Sequence, residues 1–64
     1  MNILGLDKID RRIMEILQQD ARTPIKDIAK EVFLTSPAVS ARINRLVEEG
    51  DIVGFHAEIN PKKL

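Results

Sequence analysis

Arg42, Asn44 and Arg45 stand close together in a stretch, residues 32–47, that contains no acidic residue. Guanidinium and amide groups carry the paired hydrogen-bonding atoms that match the edges of guanine and adenine in the major groove. These residue types predict hydrogen-bonded recognition of a groove lined with anions. They do not predict the making or breaking of covalent bonds.

The polar side chains occupy one face of a predicted helix. Each residue turns ~100° around a helix axis, so the apolar stripe Val39, Ile43, Leu46 and Val47 fixes where the others point. The opposite face and its flanks carry Pro37, Ala38, Ser40, Ala41, Arg42, Asn44, Arg45 and Glu48. We expect base contacts from Ser40, Ala41, Asn44 and Arg45. We expect phosphate contacts or helix orientation from Thr35, Ser36 and Arg42, with Pro37 and Ala38 allowing close approach. A solvated helix surface with two arginines is the alternative interpretation.

A second group of candidates lies at the start of the preceding helix. Arg22, Thr23 and Lys26 gather there, and in a helix-turn-helix this end lies across the phosphate backbone. They are either phosphate contacts or ordinary surface residues. Lys62 and Lys63 in the tail either add electrostatic attraction or keep the chain soluble.

Other kinds of chemistry lack the residues that they need. Asp7 and Asp10 are best explained as a helix cap and a first-turn acid that stabilises the helix dipole. The lone His56 has no partner that would make it a catalytic base, and the chain contains no cysteine. The acids at 48, 49 and 51 resemble a metal cluster only superficially. We therefore expect no enzyme activity, metal or cofactor.

Three helices must position the candidate face. The first begins after Asp7, carries the stripe Ile9, Ile13, Ile16 and Leu17, and ends near Gln19 or Asp20. Thr23-Pro24 predicts the start of the second, with Thr23 accepting from backbone N–H groups and the stripe Ile25, Ile28, Ala29 and Val32. Ser36-Pro37 predicts the start of the third, at 37–49, and Gly50 its end.

The connection between the second and third helices is very short, since only residues 33–35 separate them. A turn of this length forces two helices to cross steeply and pack directly, as in a helix-turn-helix. The small Ala29 lies where the helices would cross, and Val39 where the third would lock onto the second. The pattern predicts that one helix faces outward.

After Gly50 the apolar period changes from that of a helix to that of a strand. Val53, Phe55, Ala57 and Ile59 alternate with polar or small residues until Asn60-Pro61. A single strand needs a partner for its backbone. That partner could be residues 2–4, a hairpin within residues 51–60, or a second molecule.

Size and charge set limits on the class of protein. The 64 residues make one small domain, with ten basic and ten acidic residues and a net charge of zero. Recognition of nucleic acid must therefore rest on local charge. The first residues do not resemble a signal peptide and no run could span a membrane, so we expect a cytoplasmic protein without a membrane partner.

The motifs together resemble the N-terminal DNA-binding domain of the Lrp/AsnC (feast/famine) transcription regulators, from Leu6 to Leu64. The similarity is carried by Leu6, Asp7 and Asp10, the Asp20-Ala-Arg segment, Ser36-Pro37, Val39, Arg42, Leu46, Gly50, Ile52 and Asn60-Pro61.

This resemblance implies a mainly α fold, a winged helix-turn-helix with three helices followed by one extended strand segment. It places the domain at 6–64 after a tail, 1–5, and the DNA-binding motif at about 25–44. It also implies sequence-specific binding of double-stranded DNA, prokaryotic transcription control and a homodimer in the full-length regulator. An amino-acid effector would act only through a C-terminal domain that this chain lacks.

The chain departs from the family pattern at Phe33, where a glycine is usual in the turn. That position often needs a left-handed backbone, which is strained for a bulky residue. We expect Phe33 to pack partly over the junction of the second and third helices. A winged-helix module that binds another protein is the alternative function, and the net charge of zero favours it slightly.

Overall fold

The computed structural model describes residues 6–57 and 59–63. Three α-helices form in the predicted order: α1 Lys8–Gln19, α2 Ile25–Val32 and α3 Ser36–Glu48, followed by a short 3-10 helix at Pro61–Lys63. The mainly α, three-helix prediction is confirmed. Two predicted helix starts are wrong by one residue, because α2 begins after Pro24 and α3 already includes Ser36. The predicted N-terminal tail, 1–5, lies outside the described residues.

The start of α1 is held by a reciprocal cap. The Asp7 side chain accepts from the backbone N–H of Asp10 at 2.7 Å, and the Asp10 side chain accepts from that of Asp7 at 3.3 Å. Two N–H groups that a helix start leaves without partners are thereby satisfied. The predicted cap at Asp7 is confirmed.

The start of α2 differs from the prediction. Pro24 is the N-cap residue and offers no side-chain hydrogen bond. The hydroxyl of Thr23 points backward instead and donates to the carbonyl of Asp20 at 2.7 Å. The predicted cap by Thr23 is therefore wrong, because Pro24 occupies the N-cap position and its side chain has no oxygen that could accept from the backbone N–H groups of α2.

The turn between α2 and α3 passes through a left-handed residue. Phe33 has φ 59° and ψ 41°, and the N–H of Leu34 reaches back to the carbonyl of Ala29 at 3.0 Å. The side chain of Phe33 is 92% exposed, so the expected packing over the helix junction is wrong. The left-handed backbone turns its side chain away from both helices.

The core lies where the three helices meet. Its fully or nearly fully buried members are Ile13, Ile28, Ala29, Val32 and Val39, and Leu46 is also fully buried. Ile9, Ile16, Leu17, Leu34 and Ile43 are half-buried around them. Two predicted members of the apolar stripes, Ile25 and Val47, are instead exposed.

The chain beyond α3 leaves the helix through Gly50, whose φ of 83° suits a residue without a side chain. The N–H groups of Asp51 and Ile52 both donate to the carbonyl of Leu46. The strand predicted from Val53 to Ile59 does not form in the described residues, which leave out Glu58. Val53, Phe55 and Ile59 stay exposed, because no second strand within those residues pairs with this segment.

None of the helices in the described part of the chain combines the length and the apolar character that crossing a membrane requires.

Candidate DNA-binding surface

The outward face of α3 is small and polar for most of its length. Pro37, Ala41, Asn44 and Glu48 are exposed, and their spacing of three or four residues places them in one line. On the opposite side Val39 and Leu46 have no exposed surface. The inward side of α3 is therefore as predicted, apart from exposed Val47. On the predicted outward face and its flanks, Ala38, Ser40 and Arg42 are half-buried. Because the outward side chains are short, another surface can come close to the helix backbone.

The start of α3 offers few free backbone donors. The Thr35 hydroxyl caps the helix by accepting from the N–H of Ala38 at 3.3 Å, and Pro37 carries no N–H. Among the described residues, only the N–H of exposed Ser36 remains open within the first turn. The hydrogen of the Thr35 hydroxyl is still available, since the oxygen acts as acceptor in its cap.

Arg42 does not extend from α3 into solvent. One guanidinium nitrogen, Nη1, lies 2.7 Å from Oδ2 of Asp7 and 3.0 Å from Oδ1 of Asp10. Its hydrogen bonds to Asp7, followed by the backbone N–H of Asp10, hold the pKa of the Asp7 carboxyl below its usual value. The pKa of Arg42 is raised in turn, chiefly by the hydrogen bond to Asp7. Arg42 thus ties α3 to the start of α1.

Arg45 is placed in the same way, which corrects its assignment to a face that points only outward. Its Nη2 donates to Oδ2 of Asp10, while 44% of its side chain remains exposed. The side chain thus lies along the edge between α1 and solvent. A contact with DNA could use only the nitrogens that Asp10 does not engage.

Asp10 is the one polar residue in the described part of the chain that is buried, at 1% exposure. Its carboxylate accepts from Arg42 and Arg45, and no buried side-chain polar atom of the described residues lacks a partner. The sequence prediction assigned Asp10 only to the helix dipole and missed this role. The available signal was its position, one residue after Ile9 and three before Ile13, close to the apolar stripe of α1.

The second group of candidates has separate positions. Lys26 is exposed in the first turn of α2, Arg22 is exposed in the preceding turn, and Thr23 is half-buried. Because Thr23 already donates its hydroxyl hydrogen to Asp20, it is a poor donor to a phosphate. Lys26 and Arg22 keep charged groups at the surface.

A further ion pair joins α1 to α2. Nε of Arg12 lies 3.0 Å from Oε2 of Glu31, and its Nη1 lies 3.3 Å from Oε1 of Glu15. The hydrogen bonds to Glu31 and then Glu15 raise the pKa of Arg12. Both other helices are therefore linked to α1 by arginine and carboxylate pairs.

No group of histidine, aspartate and glutamate side chains among the described residues could hold a metal ion. The surface offers hydrogen-bonding and charged groups on α3 and at the start of α2.

The sequence matches the family model of the AsnC-type helix-turn-helix domain over residues 6–47. It is 46% identical over 59 residues to the HTH-type transcriptional regulator Ptr1 of Methanocaldococcus jannaschii, covering 92% of this chain and 40% of that protein. It is 48% identical over 59 residues to the HTH-type transcriptional regulator LrpA of Pyrococcus horikoshii, covering 92% of this chain and 42% of the relative.

Solved structures are similar as well. LrpC of B. subtilis superposes with a TM-score of 0.82 at 33% identity, over 91% of this chain and 41% of the other. The leucine response regulatory protein of Mycobacterium tuberculosis gives a TM-score of 0.81 at 36% identity, over 91% and 40%. The chain thus spans about two fifths of the length of these relatives.

Proposed function

The chain belongs to the family of AsnC-type helix-turn-helix domains, and from this premise we propose that it binds double-stranded DNA as the reading domain of a prokaryotic transcription regulator. The relatives are named as transcriptional regulators and not as enzymes. The alternative of a protein-interaction module has no support from these similarities. A regulator of this kind works in the cytoplasm, where the chromosome lies.

The observation that carries the proposal is the outward face of α3. Pro37 and Ala41 keep it shallow, and Asn44 follows on the same line with an exposed amide. A helix with short outward side chains fits into the major groove. The amide of Asn44 offers the donor and the acceptor that match the edge of adenine. Fully buried Val39 and Leu46 hold this face in one orientation.

The exposure and hydrogen bonding of the other candidate side chains support the following proposed contacts. Ser40 and Asn44 contact bases, Ala41 and Ala38 allow approach, and Arg45 contributes the nitrogens that Asp10 leaves open. Thr35 and Ser36 donate to phosphates at the start of α3, and Lys26 does so from α2. Arg42 acts by orienting α3, because its guanidinium group forms salt bridges with Asp7 and Asp10.

A homodimer and an amino-acid effector belong to the proposal for the full-length regulator only. The relatives that share this domain are more than twice as long as the matched part. The effector would act through the part of such a regulator that lies outside the matched residues. The domain itself supplies one reading helix.

The test is enrichment of duplexes from a random pool, followed by titration of an enriched duplex at several salt concentrations. We expect Asn44→Ala to weaken binding to that duplex by about 1–3 kcal/mol, the usual size of a paired base contact. The melting temperature should stay unchanged because Asn44 is exposed. Gln19→Ala, which removes an exposed amide from the end of α1 without changing the charge, is the matched control and should change neither quantity.

Affinity should also fall as salt rises, because binding a polyanion releases counterions. Failure to enrich any duplex, or an affinity that is independent of salt, would overturn the proposed function.

A further inference from the structure

The carboxylate of Asp10 lies at the junction of α1 and α3, where two guanidinium groups converge on it. Oδ1 accepts from Arg42 at 3.0 Å and Oδ2 accepts from Arg45, while the residue as a whole is 1% exposed. Both arginines come from α3, one turn apart, and both reach across to the same side chain. A buried acid thus fixes two cations of the helix that we assign to DNA reading.

We propose that Asp10 is a positioning residue for DNA recognition, which holds the guanidinium of Arg45 in the orientation that reads a base or phosphate. The inference rests on the proposed function of α3 and extends it to a residue outside the helix-turn-helix. Asp10 itself does not contact DNA, since its side chain has almost no exposed surface.

The chemistry of the guanidinium group supports this role. It is a rigid planar fork with five N–H donors, so a contact on one edge sets the direction of the others. Asp10 engages Nη2 of Arg45, and 44% of the side chain remains exposed for a second partner. A flexible arginine would have to become ordered when DNA binds, whereas one already held by a carboxylate avoids much of that entropy cost.

Arg45 completes the charge balance of this cluster. Arg42 contacts both Asp7 and Asp10, so one cation serves two carboxylates until Arg45 adds the second. Arg45 makes its side-chain hydrogen bond to Asp10 alone within the described residues, and its side chain is the more exposed of the two. The added contact orders a partly exposed cation at the edge of the reading face.

Two substitutions of equal charge test the proposal. Asp10→Asn and Asp7→Asn each raise the net charge by one, near the start of the same helix, and therefore change general attraction to DNA alike. Asparagine at position 7 also preserves an N-cap. Only Asp10→Asn removes the carboxylate that holds Arg45.

Each variant is titrated with a duplex enriched by the unchanged chain and with a scrambled duplex of the same composition, at a temperature where melts show it folded. We expect Asp10→Asn to lower the preference for the enriched duplex about tenfold, the lower part of the range for losing one paired contact. Asp7→Asn should retain most of the preference, because Arg42 keeps its contact with Asp10 and Arg45 is not held by Asp7. Equal preferences in all three proteins would overturn the positioning role while leaving the proposed function intact, whereas absence of any preference in the unchanged chain would overturn both.

A second measurement needs neither DNA nor a variant that folds. In ¹⁵N-labelled unchanged chain, the side-chain Nε–H signal of Arg45 should show the restricted motion of a held guanidinium. Arg11, exposed on α1, is the internal control and should show free motion. If Arg45 moved as freely as Arg11, the positioning role would be wrong even where Asp10→Asn does not fold.

Discussion

Nη1 of Arg42 and Oδ1 of Asp10 lie 3.0 Å apart, although 32 positions of the chain separate the two residues. The contact joins the first turn of α1 to the middle of α3, so the orientation of α3 depends on an acid near the start of the domain. Because Asp10 is buried, removing a partner of its carboxylate destabilises the fold more than the same change would at an exposed carboxylate.

We therefore predict that Arg42→Ala destabilises the fold by about 1–3 kcal/mol, below the cost of a fully stranded buried charge because Arg45 remains on Asp10. Chemical unfolding in urea measures the difference. Arg11→Ala removes an exposed arginine from α1 and is the matched control. Equal free energies of unfolding for the two variants would show that the Arg42 contacts do not stabilise the domain.

A prediction on packing separates two neighbours on α3. Leu46 is fully buried and Val47 is 45% exposed. Leu46→Ala should lower the free energy of unfolding by about 2–5 kcal/mol, whereas Val47→Ala should change it by about 0.5 kcal/mol or less. Thermal melts followed by circular dichroism would detect the difference. A larger effect at Val47 would mean that α3 is rotated relative to the present structure.

Replacing the turn residue Phe33 with glycine should stabilise the fold. A left-handed backbone costs a residue with a side chain about 1–2 kcal/mol, and the exposed ring contributes little packing to offset it. Phe33→Gly should raise the free energy of unfolding by about 1 kcal/mol, with part of the gain lost to the greater freedom of glycine when unfolded. Phe33→Ala removes the same ring but keeps the strain, and we expect no comparable gain. A loss of stability in the glycine variant would contradict this account.

The stability of the domain should fall in acid partly through Asp7. Its folded pKa is lowered, mainly by hydrogen bonds from Arg42, so its contribution is complete above the unfolded pKa and lost as the pH falls through the folded pKa. The loss therefore develops below about pH 4. Melts of the unchanged chain and of Asp7→Asn, compared between about pH 5 and about pH 2, should converge at the acid end. Parallel curves would show that Asp7 does not contribute in this way.

The helices could be predicted, with their ends correct to within one residue, because their signals are local. The cap at Asp7 and the stop at Gly50 each act on residues only a few positions away, and both lie where the sequence placed them. The side chains of Val39 and Leu46 follow from helical periodicity for the same reason. Thr23 shows the limit of such signals, since α2 begins one residue later than its Thr-Pro pair predicts and Pro24 occupies the N-cap position.

The pairing of Asp10 with Arg42 and Arg45 could not be predicted from local pattern. An acid in the first turn of a helix has a sufficient explanation in the dipole, and nothing nearby in the chain indicates a partner on α3. Only the crossing of α1 and α3 brings these groups together. The strand predicted after Gly50 was wrong for a related reason. An alternating pattern indicates one strand, but it does not identify the second strand with which the first must pair.

The pairing of the α3 arginines also bears on how fast the domain would find DNA. Arg42 and Arg45 are each matched by an acid a few ångströms away, so their fields largely cancel beyond the Debye length of ~8 Å at physiological salt. A helix whose charges are paired in this way does not attract a duplex electrostatically over long distances. The first encounter would depend on unmatched surface charges such as Lys26, and the association rate should lie near the ~10⁵–10⁶ M⁻¹s⁻¹ of unsteered partners. Differences in affinity between duplexes would then lie mainly in the dissociation rate, which would be lowest for the preferred sequence.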